Sequence, residues 1–240
     1  MADEPVPQGH YEETYPSRIS QLFEVSVFML LIVPSMLLFY FTVKGAGMGF
    51  VLTALGTIFH DVALLGLIAF FAWKNHEPKQ RFGWTNSGSE REVVLGVLLF
   101  FLMFFVGSLI EHILSAAGVS IPAKPLPSFL TARSPAGYTL AFVLVVVVAV
   151  TEETIFRGYL ILRLTGITGS RLAGVLVSTL IFSLGHGYEG VTGVIAVGLI
   201  GLALCGVYLW RKSLIAPMVM HFLQDFTGIF IAPLLKQAQG

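Results

Sequence analysis

Two adjacent carboxylates, Glu152 and Glu153, follow an apolar stretch of this 240-residue chain, and Arg157 comes four positions after the second one. On an α-helix, residues four apart share a face, so Arg157 can pair with Glu153 and neutralise it. Glu152 points about 100° away, because a helix turns once every 3.6 residues. The spacing therefore predicts that Glu152 has no cation and can take a proton from water in an apolar setting. The alternative is that both glutamates are solvated at a membrane interface.

Two further apolar stretches carry titratable groups. His186 lies at the end of one, and His221 and Asp225, four residues apart, share a helical face in another. An imidazole and a carboxylate so placed can form a hydrogen-bonded orienting unit. Each fragment alone has a structural explanation, and a lone histidine at a helix end is more often structural. Three separate segments that each carry polar, titratable groups into lipid indicate a functional site instead.

The elements that must position these groups are membrane spans. The chain is 55% hydrophobic and 12% charged, whereas soluble domains carry about 25% charge. Apolar segments run at 20–43, 50–73, 93–115, 138–156, 171–185, 190–210 and 213–235. Helices are predicted, because a lone strand in lipid leaves its backbone groups unpaired. The fold class is therefore all-α, a polytopic transmembrane helical bundle of seven or eight spans, since prolines and a glycine could divide the last segment.

The loops divide the chain and orient it. We predict a cytoplasmic N-terminal tail (1–19), an N-terminal three-span unit (20–117), a Pro-rich loop (118–137) and a C-terminal catalytic helical unit (138–240). With the N-terminus in the cytoplasm, ten Lys and Arg residues fall inside and four outside, which favours this orientation. It places the acidic pair at the cytoplasmic end of the fourth segment. The location predicted is a plasma membrane, bacterial or archaeal.

Charge and cysteine content exclude other classes. Fourteen basic residues balance fourteen acidic ones, so no polyanionic partner such as nucleic acid is expected. The single cysteine, Cys205, rules out an internal disulfide or a cysteine-based metal cluster. The expected partners are the lipid bilayer and a membrane-associated protein or peptide. The sequence does not address oligomeric state.

The motifs resemble a known family. Glu-Glu-x-x-x-Arg, Phe-x-x-x-His and His-x-x-x-Asn/Asp, in this order, are similar to the three motifs of the CPBP (CAAX protease and bacteriocin-processing, or Abi) intramembrane glutamic endopeptidases, which include prenyl-protein endopeptidases. In this chain the motif positions are Glu152, Glu153, Arg157, Phe182, His186, His221 and Asp225. The resemblance covers roughly 137–235. It implies a peptide hydrolase that needs no cofactor.

The resemblance also implies roles. Glu152, with His186, would activate the attacking water, and Glu153 with Arg157 would support it. His221 and its partner at 225 would stabilise the oxyanion. The prenyl-protein branch usually has asparagine where this chain has Asp225, and an ionised carboxylate only accepts hydrogen bonds. We therefore expect Asp225 to orient His221, and His221 to be the oxyanion donor.

The depth of the groups presents a difficulty. Simple alternation of spans places Glu152 toward the cytoplasm but His186 near the opposite end of the short fifth segment. A fourth helix that extends past Arg157 would move Glu152 toward mid-membrane and reduce the mismatch. His60 and Asp61, near the middle of the second span, either line the same cavity or bond across helices. Glu24, together with Glu111 and His112, is expected at a membrane interface.

Three other functions remain open. His186, His221 and a glutamate could form a zinc site with an open position, although the His-Glu-x-x-His helix of many metalloproteases is absent, and no metal is expected. Intramembrane carboxylates and histidines also occur in proton-coupled transporters, but no inverted repeat is visible. A non-catalytic immunity or scaffold protein could keep the same fold. Among substrates, a prenylated Cys-a-a-X tail, a bacteriocin leader and a membrane-anchored regulator all fit.

Overall fold

The computed structural model describes residues 16–45, 49–85, 88–118 and 130–239. Over these ranges the chain is all-α, without strands, which confirms the predicted fold class. Most of the predicted N-terminal tail, residues 1–15, and residues 119–129 of the predicted Pro-rich loop lie outside the described residues. The helices are α1 (Arg18–Gly45), α2 (Phe50–Lys74), α3 (Ser89–Ala116), α4 (Pro135–Glu153), α5 (Ile161–Thr168), α6 (Arg171–Gly185), α7 (Gly190–Arg211), α8 (Ile215–Phe226) and α9 (Ala232–Gln239).

Six helical stretches are long and apolar enough to cross a bilayer, and α6 is a seventh, shorter apolar helix. The last stretch is continuous, because α8 passes through a π-helical turn, Thr227–Ile231, into α9. Many large apolar side chains are exposed on the outer surface, among them Leu30, Phe41, Leu98 and Phe105. Soluble monomers rarely expose contiguous apolar surface on this scale. The chain is therefore a multi-pass membrane protein.

The predicted end of the fourth segment at residue 156 is wrong. From α4 the helix continues through a π-helical turn, Thr154–Leu160, into α5, so the whole stretch Pro135–Thr168 has 34 residues. Glu152 and Glu153 consequently lie near its middle instead of at its end. Arg157 and Arg163 made the apolar segment look shorter, but both guanidinium groups are buried and paired with glutamates inside the protein.

The helices of the two predicted units pack against each other. The first helix, α1, contacts α5, while α2 contacts α4 and α3 contacts α8; α6 lies between α5 and α7. An apolar core forms where α1 and α2 meet the π-helical turn before α5, around Phe28, Phe71 and Tyr159. The division into an N-terminal and a C-terminal unit therefore stays a proposal about sequence organisation. In space, α2 packs against α4, which carries the acidic pair, and α1 packs against α5.

The loop after α2 sets the register between α4 and α8. Its short 3₁₀ turn, Lys79–Phe82, lies against Gly158, where a side-chain Cβ would come within 2.6 Å of the Phe82 carbonyl oxygen. The next carbonyl, of Gly83, accepts a 2.9 Å hydrogen bond from the Leu214 N–H at the start of α8. Glu152 is six residues from Gly158, and His221 is seven residues from Leu214. At 1.5 Å per residue, both lie about 10 Å from this loop along their helices. The two side chains therefore reach the same depth.

A buried ionic cluster joins α1, the loop after α2 and α5. Arg163 donates from Nε to Glu24 at 2.8 Å and from both terminal nitrogens to Glu77. Tyr159 and Asn75 also donate to Glu24, at 3.0 and 2.6 Å. Glu24, expected at an interface, is instead 1% exposed. Its burial is possible because Arg163 neutralises it and hydrogen bonds satisfy both of its oxygens.

We expect Arg163→Met to destabilise the protein by about 3–5 kcal/mol, because the change leaves buried carboxylates without this cation. In detergent, the unfolding temperature should fall by about 10 °C. The control is Arg171→Met, since Arg171 is exposed in the first turn of α6. Equal unfolding temperatures for the two variants would contradict a stabilising role for the cluster.

Candidate active site

A cavity of about 820 Å³ lies inside the bundle, lined by residues of α1, α2, α4, α7 and α8 and by the end of α6. Most of its lining is apolar. The carboxylate and histidine side chains at its wall are His60, Asp61, Glu152, His186, Glu189, His221 and Asp225. Four of the six predicted site residues therefore line one cavity, and the other two, Glu153 and Arg157, lie behind its wall.

Glu153 and Arg157 form the predicted ion pair. The Arg157 guanidinium donates to Glu153 Oε1 at 2.8 Å, and both side chains are at most 1% exposed. The π-helical turn that contains Arg157 begins directly after Glu153. Such turns occur frequently at functional sites. The guanidinium also lies over the ring of Phe182, 4.3 Å from its centroid, which gives the charge a second favourable contact.

Glu152 differs from its neighbour. Its Oε2 atom lies 3.7 Å from His221 Nε2, too far for a hydrogen bond. Within the part of the chain that the structure describes, no group hydrogen-bonds to this buried oxygen, and the same holds for Glu153 Oε2. Glu152 lines the cavity, whereas Glu153 is fully enclosed. The geometry thus distinguishes a neutralised carboxylate from one that is open to a ligand.

His221 connects the two glutamates. Its Nδ1 atom lies 2.7 Å from Glu153 Oε1, and because a carboxylate paired with arginine accepts, Nδ1 carries the proton. The other ring nitrogen, Nε2, then faces Glu152 and Asp225, whose Oδ2 lies 3.6 Å away. His221 donates the hydrogen bond that orients its ring to Glu153 on the facing helix, and not to Asp225 on its own helix as expected from the sequence.

His186 caps the end of α6. Its Nδ1 atom lies 3.0 Å from the carbonyl oxygen of Phe182, so Nδ1–H donates and Nε2 keeps its lone pair. The predicted depth mismatch does not arise. Glu152 lies about 24 Å along its helix from Thr168, and His186 lies about 23 Å along α6 from Arg171. A two-residue turn joins Thr168 to Arg171. The short α6 and the long α4–α5 helix therefore bring both groups to similar depth.

Phe182 is in contact with several site residues. Its ring centroid lies 5.1 Å from that of His186 and 6.1 Å from that of His221, edge-on to the latter. One helical turn earlier, Ser178 donates a 2.6 Å hydrogen bond to the carbonyl of Phe156 in the π-helical turn. This bond ties α6 to the α4–α5 helix. The phenylalanine spacing was visible in the sequence, but the serine contact was not.

Other polar residues complete the lining. His60 and Asp61 line the same cavity, which was one of the two sequence expectations. Gln224 and Glu189 also line it. Both were missed, although each lies within three positions of a predicted site residue. In the described ranges, no group of three His, Cys, Asp or Glu side chains is arranged to hold a metal ion.

A family model described as Rce1-like, type II CAAX prenyl endopeptidase, matches residues 134–227. Residues 134–227 form an Rce1-like domain. The Rce1-like domain runs from the N-cap of α4 to the end of α8 and contains all six predicted site residues. Helices α1–α3 lie outside it. Comparisons with curated proteins and with solved structures give no match.

The Rce1-like domain confirms the resemblance found in the sequence motifs. It indicates membrane endopeptidase activity of the CAAX-protease type and hence a peptide substrate in a membrane. The family match covers only part of the cavity wall. The α1 and α2 walls, with His60 and Asp61, are outside the Rce1-like domain.

We expect the two adjacent glutamates to differ in their effect on stability. Glu153→Gln leaves the buried Arg157 charge uncompensated and should cost about 3 kcal/mol or more. Glu152→Gln removes a carboxylate that makes no hydrogen bond to a cation, so the unfolding temperature in detergent should stay the same or rise. Equal losses of stability in the two variants would contradict the assigned ion pair.

Proposed function

We propose that this protein is an intramembrane glutamic endopeptidase, in which Glu152 activates the water that hydrolyses a peptide bond. The observation that carries the proposal is the contrast between the two glutamates. Glu153 is enclosed and its Oε1 is bonded to Arg157 and His221, while Glu152 lines the cavity and its Oε2 stays 3.7 Å from His221. A buried carboxylate in that state is suited to bind and deprotonate a water molecule.

The first step is the attack on the peptide carbonyl. Glu152 takes a proton from the water as its oxygen forms a bond with the carbonyl carbon, and the carbonyl π electrons move to its oxygen. His186, whose Nε2 has a lone pair directed by the bond from Nδ1 to Phe182, accepts a hydrogen bond from the same water. These two acceptors orient the attacking oxygen.

The resulting oxyanion needs a hydrogen-bond donor. His221 supplies it when Nε2 is protonated, because the hydrogen bond from Nδ1 to Glu153 fixes the ring in place. Asp225 lies 3.6 Å from the same nitrogen and supports the positive charge on the imidazole. Arg157 keeps Glu153 ionised as the fixed acceptor. The role of Asp225 is therefore electrostatic, without a direct hydrogen bond to the ring.

The tetrahedral intermediate then collapses. The bond from carbon to nitrogen breaks, and the leaving nitrogen takes the proton that Glu152 received from water. The products are a carboxylic acid and an amine, and Glu152 returns to its starting state. No metal or cofactor is needed for the proton and electron balance.

The proposed substrate is a membrane-bound peptide with a prenylated C-terminal Cys-a-a-X tail. The description of the matching family supports this class. The cavity supports it too, because its apolar lining residues, such as Ile32, Met36 and Leu144, suit a hydrocarbon chain beside the polar site. A bacteriocin leader or a membrane-anchored regulator lacks the prenyl group, so a comparison of peptides with and without it separates these classes.

The proposed orientation places the start of α1 and the turn between α5 and α6 in the cytoplasm. These parts lie on one side of the bundle, because an Arg18 terminal nitrogen is 3.9 Å from the position that a Cβ on Gly169 would take. Arg18 and Arg171 add cationic residues to this side. Cationic residues are enriched on the cytoplasmic side of membranes. The membrane would be a bacterial or archaeal plasma membrane.

We expect Glu152→Gln to lower the rate of cleavage of a farnesylated Cys-a-a-X peptide at least about a hundredfold, the range of general-base catalysis. Products are identified by mass spectrometry with protein in liposomes. Glu111→Gln, an exposed position near the end of α3, is the matched control and should retain full activity. Cleavage by Glu152→Gln within tenfold of the parent rate would contradict the mechanism.

We expect cleavage to be unchanged after incubation with a chelator, since a carboxylate and two histidines perform the proposed chemistry. The assay compares initial rates before and after dialysis against the chelator. Loss of activity that zinc restores would support a zinc-dependent protease and would contradict the glutamate mechanism.

A further inference from the structure

One face of α2 forms a wall of the cavity. Thr53, Gly56, Thr57, His60 and Asp61 all line it, at positions spaced three and four apart, as expected for one side of a helix. We call these five residues the α2 wall. Because α2 packs against α4, the helix that carries Glu152, this wall stands beside the proposed base. It belongs to the part of the chain outside the Rce1-like domain.

Asp61 has an incomplete set of hydrogen bonds. The residue is 6% exposed, and its Oδ1 lies 3.4 Å from His60 Nδ1, a long contact. Its Oδ2 atom and the Nε2 atom of His60 are buried, and neither has a hydrogen-bond partner among the residues described. Buried polar atoms without a partner are costly and uncommon. Two of them side by side in a cavity wall indicate a ligand that completes them.

A peptide substrate has the complementary chemistry. Its backbone N–H and C=O groups lose their water when it enters the membrane interior, and each must find a partner there. An ionised carboxylate accepts hydrogen bonds and makes the stronger, charge-assisted kind with an N–H. The apolar remainder of the cavity offers few such partners.

Gly56 gives the peptide space to approach. A Cβ placed on this glycine would meet no atom within 4 Å, so the wall is open at this point. Gly56 is one helical turn from His60 and precedes Asp61 by five residues. The absence of a side chain leaves a shallow groove next to the two incomplete polar groups.

We propose that the α2 wall is the substrate-binding subsite for the peptide backbone, with Asp61 Oδ2 accepting a hydrogen bond from a backbone N–H near the scissile bond. This inference rests on the proposed function, because it takes the ligand to be the peptide that Glu152 cleaves. It assigns to α2 a role in positioning the substrate, while the chemistry stays with α4, α6 and α8.

The test measures binding separately from cleavage. A farnesylated Cys-a-a-X peptide is titrated against Glu152→Gln protein in detergent, alone and combined with Gly56→Leu. The leucine fills the groove, so Kd should rise about tenfold or more while the unfolding temperature stays unchanged. The matched control is Gly66→Leu, which is also on α2, exposed and open around its Cβ, but does not line the cavity. It should bind like Glu152→Gln alone.

The role of Asp61 is tested with modified peptides. One backbone nitrogen at a time is N-methylated, which removes its N–H. One modified peptide should bind about tenfold to a hundredfold more weakly than the parent peptide, the range for a hydrogen bond to a charged group. With Asp61→Leu in the same Glu152→Gln protein, that same methylation should make no further difference, since the two changes remove one interaction.

The outcomes separate the two proposals. Equal Kd values for Gly56→Leu and Gly66→Leu, or additive effects of Asp61→Leu and every N-methylation, would overturn the subsite. If the parent protein binds the peptide in the expected way but does not cleave it, the subsite stands and the proposed function fails. If the parent protein cleaves and Gly56→Leu cleaves with unchanged kcat/KM, the function stands and the subsite fails.

Discussion

Arg157 carries a positive charge in the middle of an apolar helical bundle, where a charge without a partner would cost several kcal/mol. Glu153 supplies that partner from one turn earlier, and the pair is closed off by the ring of Phe182. The same Glu153 oxygen accepts the bond from His221. Through Glu153, one buried ion pair therefore links α4 to α8 and leaves Glu152 as the carboxylate that faces the cavity.

The second buried arginine, Arg163, also forms ion pairs inside the protein. Arg163 pairs with Glu24 of α1 and with Glu77 of the loop after α2. Because its charge is neutralised there, the helix can continue inside the protein beyond the predicted apolar segment 138–156. The continued helix places Glu152 far from the α5–α6 turn, and the short α6 ends at a similar distance. The depth of the proposed catalytic groups is thus set by helix length, and helix length depends on paired charges.

Much of this could be predicted from the sequence. Hydropathy gave the spans, and the spacing of Glu153 and Arg157 predicted their contact because it depends only on helix geometry. The end of the fourth helix could not be predicted, since the partners that make Arg163 tolerable come from positions 24 and 77. Likewise, Asp225 was expected to orient His221 because it is four residues away, whereas Glu153 on another helix makes that bond. Contacts between distant segments decided each of these cases. Such contacts also put Asp61 in the cavity wall.

The division of roles between the two glutamates can be measured directly by chemical rescue. Glu152→Ala opens a space at the cavity that a small carboxylate such as formate can occupy, whereas Glu153→Ala leaves its space behind the wall. We expect formate to restore part of the peptide cleavage by Glu152→Ala, in a saturable manner, and to leave Glu153→Ala unchanged. Full cleavage by Glu152→Ala without formate, or rescue of Glu153→Ala alone, would contradict the assignment of Glu152 as the base.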